Sequence, residues 1–476
     1  MHATLESRIY GCWLGKSIGG TLGLPSEGKM QRQNYTYYDP VPTVAPPNDD
    51  LELQLVWLHL VESSGSELTR ADFAAAWLRH IHYMWDEYGR CRWNLRRGVC
   101  LDDVGIFENP FHAAMGSPIR SEIWACLFPG DAGSAGYYAA LDASLDHGQE
   151  GIAGEVFFAV MQSLVLAGSP LREAVDAALR QIPAASETAW ALDLVLEAHR
   201  QRLEAWTCWQ RLLGLHGSEN FTHAPLNVAL TLWALLYGEE DFEKSILLAT
   251  NGGYDTDCTA ATVGATLGMM PAVSIPGRWK EPIGEGVYLG PGILEVPAPR
   301  TLGELTQHTG ALIGKLTVKS GIKWVAPHPQ VPPDLRGLPG TIELQPLDNS
   351  APVFWSNGEL PAAVKAAGGA TWHWEVAHQD PSVLICLARS GAKLSIDEKT
   401  IVDCPPGQPY VPAPHRCPKE SRAYLTPGIG SHALKLKLNS CDAAQEVAVM
   451  LTYPDYHLCP WTIEELPHRA QLPASG

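Results

Sequence analysis

The stretch GCWLGKSIGGTLGLPSEGK, residues 11–29, decides how the N-terminal part of this chain folds. Its glycines at positions 11, 15 and 19 recur every four residues, so a helix would carry all three on one side, where a neighbour could pack tightly. A phosphate-binding loop is the competing interpretation, but the first glycine stands one residue too close to Gly15-Lys16-Ser17 for the GxxxxGK[ST] spacing. We therefore predict a tightly packed helix, followed by a turn that carries Glu27.

The sequence on either side of this turn predicts further helices, without the alternation of strands and helices that a parallel sheet requires. Apolar residues from Leu53 to Val61 recur at helical spacing, and residues 227–236 are apolar nearly all round, which is typical of a central helix. Thr301 with Glu304 has the pattern of a capping box before a last helix. These patterns predict an all-α fold for the first two-thirds of the chain.

The composition changes at residues 324–340, WVAPHPQVPPDLRGLPG, whose five prolines rule out a continuous helix. Beyond this segment, short runs alternate between apolar and polar residues, as in strands with one buried face. The apolar positions are Trp372, Trp374 and Val376; Leu434, Leu436 and Leu438; and Val447, Val449 and Leu451. We predict a multidomain chain with an all-α domain at 1–323, a proline-rich linker at 324–340 and a β-sandwich-like accessory domain at 341–476.

The overall composition restricts the partners and the compartment. Acidic residues outnumber basic ones 52 to 34, for a formal charge of −18, which argues against nucleic acid or an anionic membrane as a partner. No stretch approaches the ~20 uninterrupted apolar residues of a membrane-spanning helix. Eleven cysteines without a CxxC pair predict reduced thiols and a cytoplasmic location. The β domain could bind carbohydrate or another protomer, so a homo-oligomer stays open.

Two acidic clusters have the residue types of a metal site. Asn48-Asp49-Asp50 directly precedes a predicted helix, where it could cap the free N–H groups or bind a hard divalent cation. Asp255 and Asp257 stand on a glycine-rich turn, again at a helix start. Four aspartates brought together would repel each other strongly without a cation. We therefore predict a site for a divalent ion, on the condition that the two acidic loops meet in the fold.

These motifs resemble those of the ADP-ribosylglycohydrolase family, in the order in which that family carries them. The segment NDD at 48–50 is similar to its Thr-Asp-Asp-Thr motif, and NGGYDTDCTAATVG at 251–264 is similar to its Gly-Gly-Asp-Thr-Asp-Thr motif. The matching segments are Gly19–Glu27, Asn48–Glu52, Ala113–Pro118, Asp142–His147 and Asn251–Gly264. The resemblance covers about residues 8–315 and excludes the β domain.

The resemblance implies an all-α fold around an acidic cleft that hydrolyses the glycosidic bond at C1 of a ribose or ribose-like sugar. It implies one or two Mg²⁺ ions, or Mn²⁺ or Ca²⁺, with Glu27 as the catalytic acid or base. The implied metal ligands are Asn48, Asp49, Asp50, Asp255 and Asp257. The residues that it implies for substrate binding are Glu52, His112, Gly116, Ser117, His147 and Tyr254.

Several positions depart from the family pattern and indicate a divergent branch. Cys258 replaces the last threonine of the second metal motif, and a thiol is a poor ligand for a hard cation, which speaks against a second ion. Gly20 stands where many members have aspartate, and Tyr254 is an insertion. We expect a small-molecule or ADP-ribosylated substrate. The alternatives are a hydrolase of a simple furanoside or nucleoside without pyrophosphate, and a non-catalytic, crystallin-like structural relative.

The densest basic stretch bears on this choice of substrate. It consists of Arg90, Arg92, Arg96 and Arg97. We favour a solvated surface helix or a dimer contact for it, whereas a position in the cleft would indicate a phosphorylated ligand. Arg120 and Glu122 flank the expected pocket, and a buried ion pair between them is the structural interpretation of both.

Overall fold

The computed structural model describes residues 4–318, 321–322, 324 and 335–462. These residues form two compact units, which we call the helical unit and the sheet unit. The helical unit comprises Met1–His82 and Phe111–His328, and the sheet unit comprises Tyr83–Pro110 and Pro329–Gly476. The predicted order of a helical region followed by antiparallel sheets is confirmed.

The boundaries of the units differ from the predicted ones at one segment. Residues 83–110, which we had assigned to the all-α domain, group with the sheets, so the helical unit is interrupted in sequence. Of the predicted linker at 324–340, residues 325–334 lie outside the described residues.

The described residues contain sixteen α-helices, of which α4 and α16 belong to the sheet unit. Their bounds are α1 Leu5–Gly23, α2 Asp49–Ser63, α3 Arg70–His80, α4 Asp86–Arg97, α5 Ser121–Leu127, α6 Ala132–Ala143, α7 Gln149–Ala167, α8 Leu171–Leu179, α9 Glu187–Arg200, α10 Ala205–His216, α11 Ala224–Tyr237, α12 Phe242–Asn251, α13 Thr256–Gly268, α14 Gly277–Lys280, α15 Leu302–Ala311 and α16 Ala362–Ala366.

Helices α1 and α13 pack against each other in antiparallel orientation through their small residues. A Cβ atom at Gly11 would lie 2.1 Å from the carbonyl oxygen of Gly268, and one at Gly15 would lie 2.0 Å from that of Gly264. Further along, a Cβ at Gly19 would lie 2.0 Å from the carbonyl oxygen of Ala260. Because any larger side chain would force the helices apart, the glycine spacing sets their contact. The predicted packing role of these glycines is confirmed.

Helices α7 and α11 lie in the core of the helical unit. Residues 224–236 of α11 are all buried, as the apolar pattern at 227–236 predicted. Helix α7 is long and apolar enough to cross a membrane by length and composition alone, but 83% of its apolar window is buried inside the protein. Its apolar surface is therefore used for packing against other helices.

Ten strands of the described residues form two antiparallel sheets in the sheet unit. Their bounds are β1 Ile342–Pro346, β2 Val353–Trp355, β3 Gly358–Glu359, β4 Gly369–Val376, β5 Ser382–Ala388, β6 Ala392–Ile396, β7 Lys399–Cys404, β8 Arg422–Leu425, β9 Gly430–Leu438 and β10 Val447–Thr452. The six-stranded sheet has the order β2-β1-β4-β9-β6-β7, and the four-stranded sheet has the order β3-β10-β5-β8.

The two sheets share one hydrophobic core, as in a β-sandwich. Trp372 on β4 pairs in register with Leu434 on β9, and both side chains are buried in this core. Val449 and Leu451 of β10 enter the same core from the other sheet. The predicted buried faces of these strands are confirmed, with the lysines that alternate with the leucines of β9 exposed.

Helix α4 packs on the second face of the four-stranded sheet and buries its arginines there. Trp93 joins a cluster of strand residues that consists of Val383, Ile385, Leu387 and Met450. Arg90 Nη1 donates to the carbonyl of Asn357 at 2.7 Å, and Arg97 Nε donates to that of Pro339 at 2.9 Å. The interpretation of this basic stretch as a solvated helix or dimer contact is wrong, because β5 is apolar on both faces and α4 covers the second one.

Candidate active site

The two acidic loops meet in the helical unit. Carboxylate oxygens of Glu27, Asp255 and Asp257 lie within 4.8 Å of one another. Asp50, Asp257 and Cys258 offer a second group of ligand atoms within the same distance. Asp257 belongs to both groups and therefore joins the Glu27 turn to the start of α2. The condition on which the predicted metal site depended is met.

This convergence follows from the antiparallel packing of α1 and α13. Gly23 at the end of α1 lies against Thr256 at the start of α13, where a Cβ atom would be 2.2 Å from the Thr256 carbonyl oxygen. The Thr256 hydroxyl donates to the Gly23 carbonyl at 2.8 Å, and the Ser26 hydroxyl donates to Thr256 Oγ1 at 3.1 Å. These hydrogen bonds hold the turn before Glu27 at the N-terminus of α13.

Backbone pairing connects the two loops beyond Glu27. Gly28 N donates to the carbonyl of Tyr254 at 2.9 Å, and Tyr254 N donates to that of Lys29 at 3.0 Å. Gly253, at φ +75°, leaves no room for a side chain, since a Cβ would lie 2.6 Å from the carbonyl oxygens of Lys29 and Gln31. The glycine-rich turn is therefore required for the close approach of the two loops.

Asn48 links the start of α2 to the aspartates of α13. Its side-chain oxygen accepts a hydrogen bond from Asp50 N at 2.7 Å and so caps the helix. Its Nδ2 donates to Asp257 Oδ2 at 3.1 Å. The amide oxygen that we predicted as a metal ligand is thus engaged in capping, and Asn48 acts on Asp257 as a donor.

Two buried carboxylate oxygens face this site without a hydrogen-bond partner among the described residues. They are Oδ2 of Asp50 and Oδ1 of Asp257. Only 1% of Asp50 and 4% of Asp257 is exposed, so water provides little solvation. Buried carboxylate oxygens left in this way are costly unless a cation or a proton satisfies them. The residues present therefore fit a divalent cation with oxygen ligands.

The protonation of these carboxyls reflects the same excess of negative charge. Burial raises the pKa of Asp255 well above its usual range, and the charges of Asp257 and Glu27 add to that effect. Burial, Glu27 and Asp50 raise the pKa of Asp257 in the same way. Burial also raises the pKa of Asp50 and outweighs the opposing effect of Lys16. A bound cation would displace protons from these groups.

Three other predicted site residues lie beside these groups in the chain. Asp49, in the first turn of α2, is half-buried and belongs to neither group of ligand atoms. Glu52 is buried, and its Oε1 accepts a hydrogen bond from Gly290 N. Tyr254 is mostly buried with a left-handed backbone at φ +68°, a conformation imposed by the pairing of the two loops.

The remaining predicted substrate-binding residues belong to residues 112–117 and to the segment that ends at His147. Gly116 accepts a hydrogen bond from Arg120 Nη1 at 2.8 Å, and Ser117 is completely buried. His112 is half-buried, and its carbonyl accepts a hydrogen bond from Gly148 N at 2.9 Å. His147 is completely buried, with Nδ1 2.9 Å from Asp146 Oδ1. The structure does not bring these four residues into the acidic groups.

Comparison with known proteins identifies the family of the chain. The family model of the ADP-ribosylglycohydrolases matches residues 1–311, a region that ends with α15. The chain belongs to the ADP-ribosylglycohydrolase family. A solved structure described as an ADP-ribosylglycohydrolase-related protein complex is 21% identical, covering 65% of this chain and 96% of that one, with a TM-score of 0.43. No curated protein matches the chain.

Membership of the ADP-ribosylglycohydrolase family supports a glycohydrolase-like function for the helical unit. Cys258, one of the departures from the family pattern, lies inside the second group of ligand atoms. Burial raises the pKa of its thiol well above the usual range, and Asp255 and Asp50 raise it further. The thiol is therefore protonated in the metal-free protein, next to the carboxylates.

The sequence analysis missed two residues that border the site, Lys16 and Glu122. Lys16 Nζ lies 3.2 Å from Asp50 Oδ1 and 3.1 Å from Glu122 Oε2, and all three side chains are buried. Arg120, which we had paired with Glu122, binds Asp142 and Asp146 instead. One signal was available: Lys16 is the single charge between positions 9 and 23 of an otherwise apolar and small-residue helix, and a buried lysine requires a carboxylate partner.

Proposed function

We propose that the chain is a metal-dependent glycoside hydrolase that cleaves the bond between C1 of a ribose or ribose-like sugar and its aglycone. In the proposed substrate, this sugar is the ribose of an ADP-ribosyl group. The observation that carries the proposal is the position of Glu27. Its exposed carboxylate lies within 4.8 Å of the buried carboxylates of Asp255 and Asp257. A reactive acid at the surface thus stands next to a buried group of cation ligands.

The difference in exposure assigns different roles to these carboxylates. Glu27 reaches solvent, so its carboxyl oxygen can give a proton to the leaving group or take one from the attacking water. Asp50, Asp255 and Asp257 are buried and would hold the divalent ion. When bound, such an ion supplies positive charge that binds sugar hydroxyls and orients the substrate. The pairing of the loops around Tyr254 keeps Glu27 at a fixed distance from the aspartates.

The turn that carries Glu27 also supports an anionic substrate. Lys29 and Arg32 follow the acid after two and five residues, and both are exposed. The guanidinium of Arg32 lies over the Trp206 ring at 3.7 Å, which orients it. Two cations on the catalytic turn could bind the phosphates of an ADP-ribosyl substrate.

A second candidate substrate is a simple furanoside or a nucleoside without pyrophosphate. It is favoured by the position of the α4 arginines, which lie inside the sheet unit and not in the cleft-forming helical unit. Arg90 and Arg97 donate to backbone carbonyls there, so the densest basic stretch of the chain is engaged in structural hydrogen bonds. Under this alternative, Glu27 and the aspartates keep the same roles.

A hydrolysis panel with the full chain and Mg²⁺ or Mn²⁺ tests these proposals. The panel contains ADP-ribosyl-arginine, ADP-ribosyl-serine, nucleosides and aryl furanosides. Turnover of the ADP-ribosyl substrates supports the proposal, and turnover of only the last two classes supports the second candidate. Absence of turnover on every substrate would favour the non-catalytic, crystallin-like relative.

Replacement of the acid tests the role of Glu27 directly. Glu27→Gln should lower kcat by about 10²–10⁴-fold because amides neither donate nor accept the required proton, while the affinity for Mn²⁺ stays near that of the wild type. Glu173→Gln removes an equally exposed carboxylate from α8 and serves as the matched control. A wild-type rate for Glu27→Gln would assign the proton transfer to another residue.

A further inference from the structure

Lys16 is a buried cation built into the candidate metal site. Its Nζ lies 3.2 Å from Asp50 Oδ1 and 3.1 Å from Glu122 Oε2, and it donates to the carbonyl of Ile119 at 2.8 Å. An ammonium has three donors, so these contacts use all of them. Only 1% of Lys16 is exposed, and it lies in the middle of α1, which packing against α13 holds in place.

The side of the site around Glu122 is closed by hydrogen bonds. Gln54 Nε2 donates to Glu122 Oε2 at 2.9 Å, and Gln162 Nε2 donates to Glu122 Oε1 at 3.2 Å. Together with Lys16, these donors satisfy both oxygens of the carboxylate. Glu122 therefore serves as the partner of Lys16, with both of its oxygens engaged.

The space next to Lys16 is small. A cavity of about 20 Å³, lined in part by Lys16, Gly20, Asn48 and Asp50, has room for one water molecule, so a divalent ion there would have to give up its hydration shell. A side chain at Gly20 would point at Asn48 Nδ2, 3.6 Å away, so the glycine leaves this side of the site without a ligand. On this side of the site, helix α1 thus contributes the Lys16 ammonium and Gly20, and neither provides a side-chain ligand for a cation.

The second carboxylate oxygen of Asp50 is available to a cation. Its Oδ2 and Asp257 Oδ1 are buried without a hydrogen-bond partner in the described ranges, and both residues belong to a group of ligand atoms within 4.8 Å. Asp50 therefore has one oxygen on Lys16 and one oxygen left. The same carboxylate can neutralise the ammonium and bind a metal ion.

We propose that this site holds a single divalent ion on Asp257, the aspartate that belongs to both groups of ligand atoms, and that the Lys16 ammonium occupies the place of a second cation on Asp50. The inference rests on the proposed metal dependence of the enzyme and adds its stoichiometry. A site of this kind carries a fixed positive charge that no chelator removes. Metal binding to such a site is then the binding of one ion, not the coupled binding of two ions.

Manganese binding to the metal-free full chain tests the inference without reference to activity. Isothermal titration calorimetry should give one Mn²⁺ per chain, and electron paramagnetic resonance should show the spectrum of an isolated ion. Asp257→Asn should abolish this binding. Two ions per chain with an exchange-coupled spectrum would overturn the single-ion inference alone. Absence of binding would overturn the proposed metal dependence together with it.

Removal of the ammonium provides a second test. Lys16→Ala removes the ammonium together with the chain that fills this space and leaves Asp50 and Glu122 buried without their cation, so Mn²⁺ should bind in two equivalents and raise the Tm more than in the wild type. The double variant Lys16→Ala/Glu122→Gln removes the excess charge and should bind one ion again. A single equivalent and an unchanged Tm response in Lys16→Ala would contradict the role of Lys16. If that variant does not fold, the stoichiometry of the wild type decides.

Discussion

The helical unit contains two buried clusters of charged residues that differ in how their carboxylates are neutralised. In the first, Arg120 forms two hydrogen bonds to Asp142 and two to Asp146, with donor–acceptor distances of 2.8–3.2 Å. In the second, around Asp257, one ammonium faces a larger number of carboxylates, and oxygens of Asp50 and Asp257 have no hydrogen-bond partner in the described part of the chain. We call these the Arg120 cluster and the Asp257 cluster.

The two clusters show that burial of acids does not by itself identify a functional site. Burial opposes ionisation of Asp146, but Arg120 and His147 lower its pKa to about 2. Burial raises the pKa of Asp257 well above its usual range, and Glu27 and Asp50 raise it further. Equally buried Asp146 and Asp257 thus shift in opposite directions, because the Arg120 guanidinium contacts Asp146, whereas Asp257 faces other carboxylates. Arg120 does not neutralise its whole cluster, since burial raises the pKa of Asp142 and raises that of Glu155 well above its usual range. The Asp257 cluster, which also contains the exposed Glu27, is where we place the metal ion and the chemistry.

The largest effect on stability should come from breaking the Arg120 cluster. Arg120→Met leaves Asp142 and Asp146 buried without their cation, beside buried Glu155, and should lower the free energy of unfolding by about 3–5 kcal/mol. Urea unfolding followed by circular dichroism measures this loss. Arg172→Met, which removes a half-exposed pair with Asp176, should cost less than about 1 kcal/mol and is the control. Equal losses in the two variants would mean that the Arg120 cluster contributes no more than a surface pair.

Binding of a divalent ion to the Asp257 cluster should stabilise the folded chain. Mg²⁺ or Mn²⁺ at about 100 times its Kd should add about 2.7 kcal/mol to the free energy of unfolding, because the ion binds the folded chain alone. Differential scanning fluorimetry measures the rise in Tm. Asp348→Asn, at an exposed position of the sheet unit, should keep the response, whereas Asp257→Asn should lose it. An identical rise in both variants would separate metal binding from the Asp257 cluster.

Per pH unit, the smallest effect is the pH dependence of stability without metal. Asp255 and Asp257 have raised pKa values, so the folded chain holds protons that the unfolded chain has lost above about pH 4. Stability should therefore fall as the pH rises, by roughly 1 kcal/mol per pH unit for each such proton. Asp146 in the Arg120 cluster has the opposite sign, since its lowered pKa contributes stability that is lost as the pH falls below about 4.

Chemical denaturation in EDTA across this pH range measures the dependence. Asp257→Asn should make the decline with rising pH shallower and stabilise the metal-free protein near neutral pH by about 1 kcal/mol, because it removes like-charge repulsion. Saturating Mn²⁺ should abolish the decline in the wild type. An unchanged slope in Asp257→Asn would show that the raised pKa values do not control stability.

Local patterns were sufficient to predict much of the fold. The N-cap at Thr301 forms as its sequence indicated, with its hydroxyl accepting from Glu304 N at 3.1 Å, while the Glu304 side chain accepts from Arg300 N. The alternating faces of β4 and β9 are buried and exposed in the predicted order. Such features depend on residues within one or two turns, or on the two-residue period of a strand, so the chain encodes them locally.

The placement of α4 and the order of the strands were not predictable in this way. Arg90 and Arg97 of α4 have a charge pattern typical of a solvated helix, yet they donate to carbonyls more than two hundred residues away. An apolar sheet face, such as the one that contacts Trp93, can be buried by a helix from any position in the chain. Hydrophobic burial is non-directional, so its partners follow from the assembled structure.

The sequence by itself determined the residue types of the site: an acid on a turn, two aspartate motifs at helix starts, and a glycine spacing that brings helices together. Only the tertiary structure decided that Asp257 joins both groups of ligands, that Asn48 donates to it, and that Lys16 neutralises Asp50 and Glu122. The physical reason is that ion pairing and metal binding depend on distances through space. These distances arise when α1 packs against α13. The glycines allow such close packing, but they do not specify which helix packs against which.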